Sequence, residues 1–108
     1  MMSEALRGHL DALILAVLEK EPLHGYAVME ALQVSSAGAL DLPTGSLYPA
    51  LRRLERAGLV ESEWSTVGGR RRRTYQLTAT GKRALAKERT DWRDFSTMVE
   101  GILRPGTA

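Results

Sequence analysis

Arg52, Arg53 and Arg56, followed by the uninterrupted run Arg70 to Arg73, are the residues of this 108-residue chain with the clearest chemistry. A guanidinium keeps its charge at any cellular pH, and its planar fork of donors matches phosphate oxygens or the O6 and N7 edge of guanine. The two clusters therefore point to binding a polyanion. Other chemistries lack their parts. With no cysteine there are no disulfides or thiolate nucleophiles, and with only His9 and His24 as imidazoles a metal site is not expected. The sequence has no nucleophile elbow, no paired carboxylates in an apolar setting and no cluster of His with Asp or Ser. Thr78 to Lys82 ends in Gly-Lys, but it lacks the earlier glycine and the following Ser or Thr of a phosphate-binding loop. Neither enzymatic activity nor a cofactor is expected.

The formal net charge is only +2, but the charge is unevenly distributed. Residues 1–43 sum to −4, residues 44–90 to +7 and residues 91–108 to −1. Positive charge confined to the middle of a single-domain chain suits one face meeting a polyanion while the rest stays solvated. The longest apolar run, Ala12 to Leu18, is far short of the roughly 20 residues that span a bilayer. Glu4 and Asp11 do not fit a secretory leader. A cytoplasmic protein without membrane association is the expectation.

The elements that must position the arginines can be read from periodicity. Leu10, Leu13, Ile14, Val17 and Leu18 form the stripe of an amphipathic helix from about Ser3 to Lys20, ended by Pro22. A second helix is expected from about His24 to Val34, with Val28, Met29 and Leu32 inward and His24 capping or packing it. Ser35 to Leu42 reads as a connection. In a third helix, starting near Thr44 to Ser46 so that Pro49 falls in its first turn, Leu47, Leu51 and Leu54 share one side and Gly58 closes the end. Gly45, Ser46, Pro49, Arg52, Arg53 and Arg56 lie opposite the leucines, with Tyr48 at the edge. Leu59 to Ser65 and Thr74 to Thr78 alternate as strands, and Thr66 to Arg73 between them makes a β-hairpin with a basic tip. Within that run Arg71 and Arg73 share a side with inward-facing Tyr75, so Arg73 is expected to pair internally.

From Thr78 a last helix of about 25 residues should reach Leu103, stopped by Arg104-Pro105-Gly106. At roughly 37 Å it outruns the body that residues 1–78 can build. Leu85, Trp92, Phe95, Val99 and Ile102 recur at coiled-coil spacing along it. A seam without a partner in its own chain implies a second chain, most simply in a two-fold homodimer. The fold class is then mainly α with a small β-hairpin. Residues 1–78 form a winged helix-turn-helix domain, and residues 79–108 a dimerisation helix with a short tail.

Three stretches carry a resemblance. LHGYAVMEAL (Leu23 to Leu32), LPTGSLYPALRRLERAGLVES (Leu42 to Ser62) and GGRRRRTYQLTATGKRAL (Gly68 to Leu85) resemble the signature stretches of PadR-like transcriptional regulators. The ending in one long helix is similar to the small-protein branch of that family. The resemblance implies a dimeric, effector-responsive repressor that binds double-stranded DNA with its third helix and wing. Read together with the arginine chemistry, it places DNA contacts at Thr44, Gly45, Ser46, Tyr48, Arg52, Arg53, Arg56, Gly69, Arg70, Arg71 and Arg72. It also implies a site for a small aromatic effector beside the last helix, where Trp92 and Phe95 would stack the ligand against Ala12 and Leu15. The competing reading is a winged-helix interaction module whose basic hairpin meets an acidic partner protein.

Overall fold

The computed structural model describes residues 4–106. In chain order it contains α1 (Glu4–Leu18), β1 (Leu23–His24), α2 (Gly25–Ser35), α3 (Thr44–Arg56), β2 (Val60–Val67), β3 (Arg70–Leu77) and α4 (Ala79–Leu103). The strands form one antiparallel sheet in the order β1-β3-β2. This is a winged helix-turn-helix followed by a long C-terminal helix, as the periodicity implied.

The core lies where the leucine stripes converge. Ile14 and Leu18 of α1, Val28 and Leu32 of α2, and Leu47, Leu51 and Leu54 of α3 are all buried, closed on the sheet side by Val60 and Tyr75. Burying each large aliphatic side chain contributes about 1.5–3 kcal/mol, which holds three short helices that would be marginal alone. His24 caps α2, its Nδ1 accepting from the Ala27 amide at 3.3 Å. Leu40 and Leu42 in the connection before α3 are also buried and pin that loop to the core.

Three local expectations are corrected. Because α3 begins at Thr44, Pro49 lies in its second turn, so the bond missing at its nitrogen is the one that would reach the carbonyl of exposed Gly45. The turn of the hairpin is Gly68-Gly69 alone, with φ of 58° and 74°, and all four arginines sit within β3 rather than at a loose tip. Val67 pairs with Arg70, Thr66 with Arg71, Ser65 with Arg72 and Trp64 with Arg73. The third correction is an extra strand, β1, which pairs Leu23 with Tyr75 and His24 with Thr74 and so ties the entry of α2 to the wing.

α4 starts inside the body and then leaves it. Thr78 caps it, with Oγ1 accepting from the Gly81 amide at 3.0 Å and donating to the Gly58 carbonyl at 2.6 Å. Gly81 is buried against the backbone of Leu59. Leu85, expected in the intermolecular seam, is instead 2% exposed within the chain's own core. Its heptad spacing to Trp92 is real, but α1 already covers it. A last link ties α4 to the end of α1, where Arg89 donates to both Glu19 oxygens at 2.8 and 2.9 Å and holds that carboxyl below its usual range. Beyond it the helix projects, and the chain extends 63 Å along its longest axis against 28 and 21 Å along the others.

Candidate nucleic-acid interface and effector pocket

α3 presents the residues expected to meet DNA. Thr44, Gly45, Tyr48, Arg52, Arg53 and Arg56 are exposed and Ser46 is half-buried, while Leu47, Ala50, Leu51 and Leu54 on the opposite side are buried. The amphipathic split thus falls where the 3.6-residue period puts it. Two of these side chains are already engaged. Arg53 forms an ion pair with Asp11 of α1. The Tyr48 phenol lies across Gly25 so closely that a Cβ there would come within 2.7 Å of its hydroxyl oxygen. Glycine at the start of α2 therefore leaves room for the Tyr48 ring in this position.

The inner face of the hairpin continues outward from the core. After Val60 and Tyr75 come Ser62 and Arg73, whose Nε donates to Ser62 Oγ at 2.7 Å and whose guanidinium lies 3.7 Å from Glu55 of α3. Ser62 in turn donates to Glu55 at 2.8 Å. The internal pairing expected of Arg73 is thus present, and it fastens the wing to α3. Farther out, exposed Trp64 has the guanidinium carbons of Arg71 and Arg73 at 5.2 and 5.6 Å from its ring centre. These cation–π contacts order Arg71 while leaving its donors free. Trp64 did not figure among the expected site residues, although its register opposite Arg73 follows from a Gly68-Gly69 turn. On the outer face Arg70 is exposed. Arg72 is half-buried with its Nη1 3.4 Å from His24 Nδ1. Gly69 at the turn is open to solvent.

A recess of about 260 Å³ lies between these parts, bounded by Gly25 and Tyr26 of α2, Tyr48 of α3, and Trp64 and Tyr75 of the sheet, with the wing arginines at its side. Tyr48 of α3 and the arginines of β3 therefore border one and the same hollow.

A second hollow of about 500 Å³ separates α1 from α4. His9, Ala12, Leu13 and Ala16 line it from α1, and Leu85, Glu88, Arg89 and Trp92 from α4. Each set is spaced i, i+3, i+4, i+7, so two helix faces oppose each other. Ala12 and Trp92 stand where expected, but Leu15 does not line the pocket. It is 2% exposed in the core, and its place on the wall is taken by Leu13 and Ala16. His9 meets Trp92 edge to face with ring centres 5.0 Å apart, and Phe95, also expected at this site, lies 6.0 Å from Trp92 but does not line the pocket. The α1 face was legible in the same spacing that gave the core stripe, since this helix is apolar on two sides. Trp92, Phe95 and Ile102 of the expected seam are exposed, Val99 is half-buried, and exposed Met98 and Leu103 widen the apolar surface. Among the described residues no cluster of His, Cys, Asp or Glu could hold a metal, and no helix is long and apolar enough to cross a membrane.

The family model described as the PadR-like transcriptional regulator family matches residues 14–87. Among curated relatives, an uncharacterised protein of Lysinibacillus sphaericus is 25% identical over 99 residues, covering 91% of each chain. A transcriptional regulator of Mycobacterium tuberculosis is 44% identical over 57 residues, covering 53% of each. Among solved structures, a PadR family transcriptional regulator from Eggerthella lenta superposes with a TM-score of 0.82 at 34% identity, covering 95% of this chain and 88% of that one. A PadR-like transcriptional regulator from Bacillus cereus gives 0.86 at 28% identity, covering 96% and 100%.

Proposed function

The chain belongs to the PadR-like family of transcriptional regulators, and from that premise we propose that it is an effector-responsive repressor binding an inverted-repeat operator as a homodimer. The observation that carries the DNA reading is the recess Tyr48 of α3 shares with Arg71, Arg72 and Arg73, which sets the helix bearing exposed Thr44, Gly45, Arg52 and Arg56 beside the arginine-rich hairpin. A helix of this width enters the major groove, and a hairpin at its flank reaches the neighbouring backbone. The small residues at the start of α3 allow close approach to base edges, while Arg70, Arg71 and Arg72 supply phosphate contacts and Gly69 leaves the wing tip unobstructed. Arg53 joins this set by exchanging Asp11 for a phosphate, because an exposed ion pair of that kind is worth at most about 1 kcal/mol.

The test is a binding titration with duplex DNA from upstream of the protein's own gene against random duplex, repeated over a range of salt. Arg72→Ala weakens both duplexes alike and reduces the slope of log affinity against log salt by about one unit, the signature of one lost phosphate contact. An unchanged slope and affinity place the wing off the DNA. Two-fold symmetry sets half-site centres about 34 Å apart or a multiple of that distance.

The α1–α4 pocket supports the effector part of the proposal. It is apolar, open, and walled on one side by the Trp92 ring, with Phe95 continuing the aromatic surface. A flat aromatic compound stacking there quenches Trp92. A panel of planar cationic and phenolic dyes is expected to quench fluorescence in the parent, and Trp92→Ala is expected to leave only the Trp64 signal, unresponsive to the same dyes. Fluorescence indifferent to the whole panel speaks against an effector at this pocket.

A further inference from the structure

The floor of the recess between α2 and the hairpin is Tyr75, and its hydroxyl has no structural task. The residue is only 5% exposed, yet its oxygen takes part in no hydrogen bond among the described residues. No enclosed side-chain oxygen or nitrogen among them lacks a partner, so the Tyr75 hydroxyl is the part of the residue that still opens to the recess. With no protein partner, the hydroxyl adds no internal hydrogen bond that phenylalanine would lack. Its value lies in a partner from outside.

The surroundings specify that partner's charge. Arg73 stands beside the recess, fixed by Ser62 and Glu55, and Arg71 is ordered on the face of Trp64. Arg72 stands on the opposite side with its Nη1 3.4 Å from His24 Nδ1, whose one lone pair already accepts from the Ala27 amide, so the guanidinium keeps its donors for an outside acceptor. The first turn of α2 opens here as well, bringing the positive end of its dipole. Glu55 is the carboxylate that faces this group from α3, and Ser62 and Arg73 already engage it. Burial pushes the Tyr75 phenol up from its ordinary value, so at neutral pH it remains a donor.

We infer that this recess is a phosphate seat, which takes one backbone phosphodiester of the bound DNA with the Tyr75 hydroxyl donating from the floor and Arg71 and Arg72 closing the sides. The inference rests on the DNA-binding reading and sharpens it. A phosphate held between α2 and the wing fixes how far α3 enters the major groove relative to the strand the hairpin touches, which is the positioning role of backbone contacts.

Tyr75→Phe isolates the seat, since the ring keeps its packing and no internal hydrogen bond is lost, so the melting temperature stays as in the parent. Full-length parent and variant are titrated with own-upstream and random duplexes across a series of chloride concentrations. The expected result is about tenfold weaker binding of both duplexes by Tyr75→Phe. The salt slope stays the same, because a neutral hydroxyl displaces no counterion. Parent and variant binding DNA equally well overturns the backbone phosphate as occupant while leaving the DNA reading intact. A parent that binds no duplex overturns both. A parallel arm compares inorganic phosphate with chloride at matched ionic strength. Thermal stabilisation by phosphate that vanishes in Tyr75→Phe, without a DNA effect, assigns the seat to a free phosphoryl group, and absence of both effects overturns the seat altogether.

Discussion

Gly81→Ala is expected to destabilise the fold by about 3 kcal/mol or more, at the upper end of what overpacking a core causes. A Cβ at Gly81 would lie 1.9 Å from the carbonyl oxygen of Leu59, with the carbonyl carbon at 3.0 Å. The obstacle is backbone, so no rotamer change relieves it. The same Leu59 carbonyl accepts from the Thr78 amide at 3.2 Å, so moving it also disturbs the cap of α4. For a domain of this size about 3 kcal/mol corresponds to a fall in melting temperature of at least about 12 °C. Thermal unfolding followed by circular dichroism measures it. Gly101→Ala serves as the control, because a Cβ there meets nothing and alanine favours a helix. Equal melting temperatures for parent and Gly81→Ala would show that α4 does not press on Leu59 as described.

The second large effect concerns the proposed dimer. Phe95 is 52% and Ile102 74% exposed on the projecting part of α4. The double substitution Phe95→Asp with Ile102→Asp should therefore leave the winged-helix body folded. In a two-fold dimer each substituted position occurs twice, and each replaces a buried apolar group worth about 1.5–3 kcal/mol by a carboxylate that resists desolvation. Loss of more than about 4 kcal/mol raises the dimer dissociation constant at least about a thousandfold. Sedimentation velocity at micromolar concentration is expected to show a dimer for the parent and a monomer for the variant. A variant that still sediments as a dimer locates the interface elsewhere, with the second apolar face of α1 the place to look. A monomer also loses the simultaneous engagement of two half-sites, so operator affinity falls with it while random-duplex binding falls less.

Element by element, what was legible depended on whether a local pattern had a local cause. The leucine stripe of α3, the cap at Thr78 and the glycine at Gly58 are read correctly because each expresses a constraint that acts within one or two turns. The hairpin is longer than its alternation indicates because in its outer half Thr66 and Arg71 on one face and Arg70 on the other are exposed. Alternation of apolar and polar residues disappears there, while the backbone ladder that pairs Thr66 with Arg71 continues without needing it. β1 has only two residues and exists because Tyr75 and Thr74 lie beside it, which no window of sequence around Leu23 contains. The candidate DNA face was legible as residue types. That Arg53 turns to Asp11, and Arg73 to Ser62 and Glu55, was fixed by partners elsewhere in the chain.

The sequence by itself determined the period, hence the face, of each long element. It also determined the segregation of positive charge into residues 44–90, because helical and strand geometry convert spacing into sidedness without reference to anything else. What covers a face is another matter. Leu85 and Trp92 are one heptad apart on the same side of α4 and both line the pocket, and only the approach of α1 decides that the first is buried in the chain's own core while the second stays exposed. Leu15 and Leu13 divide in the same way between core and pocket wall. Burial depends on the distance to other elements, which spacing along one helix does not encode.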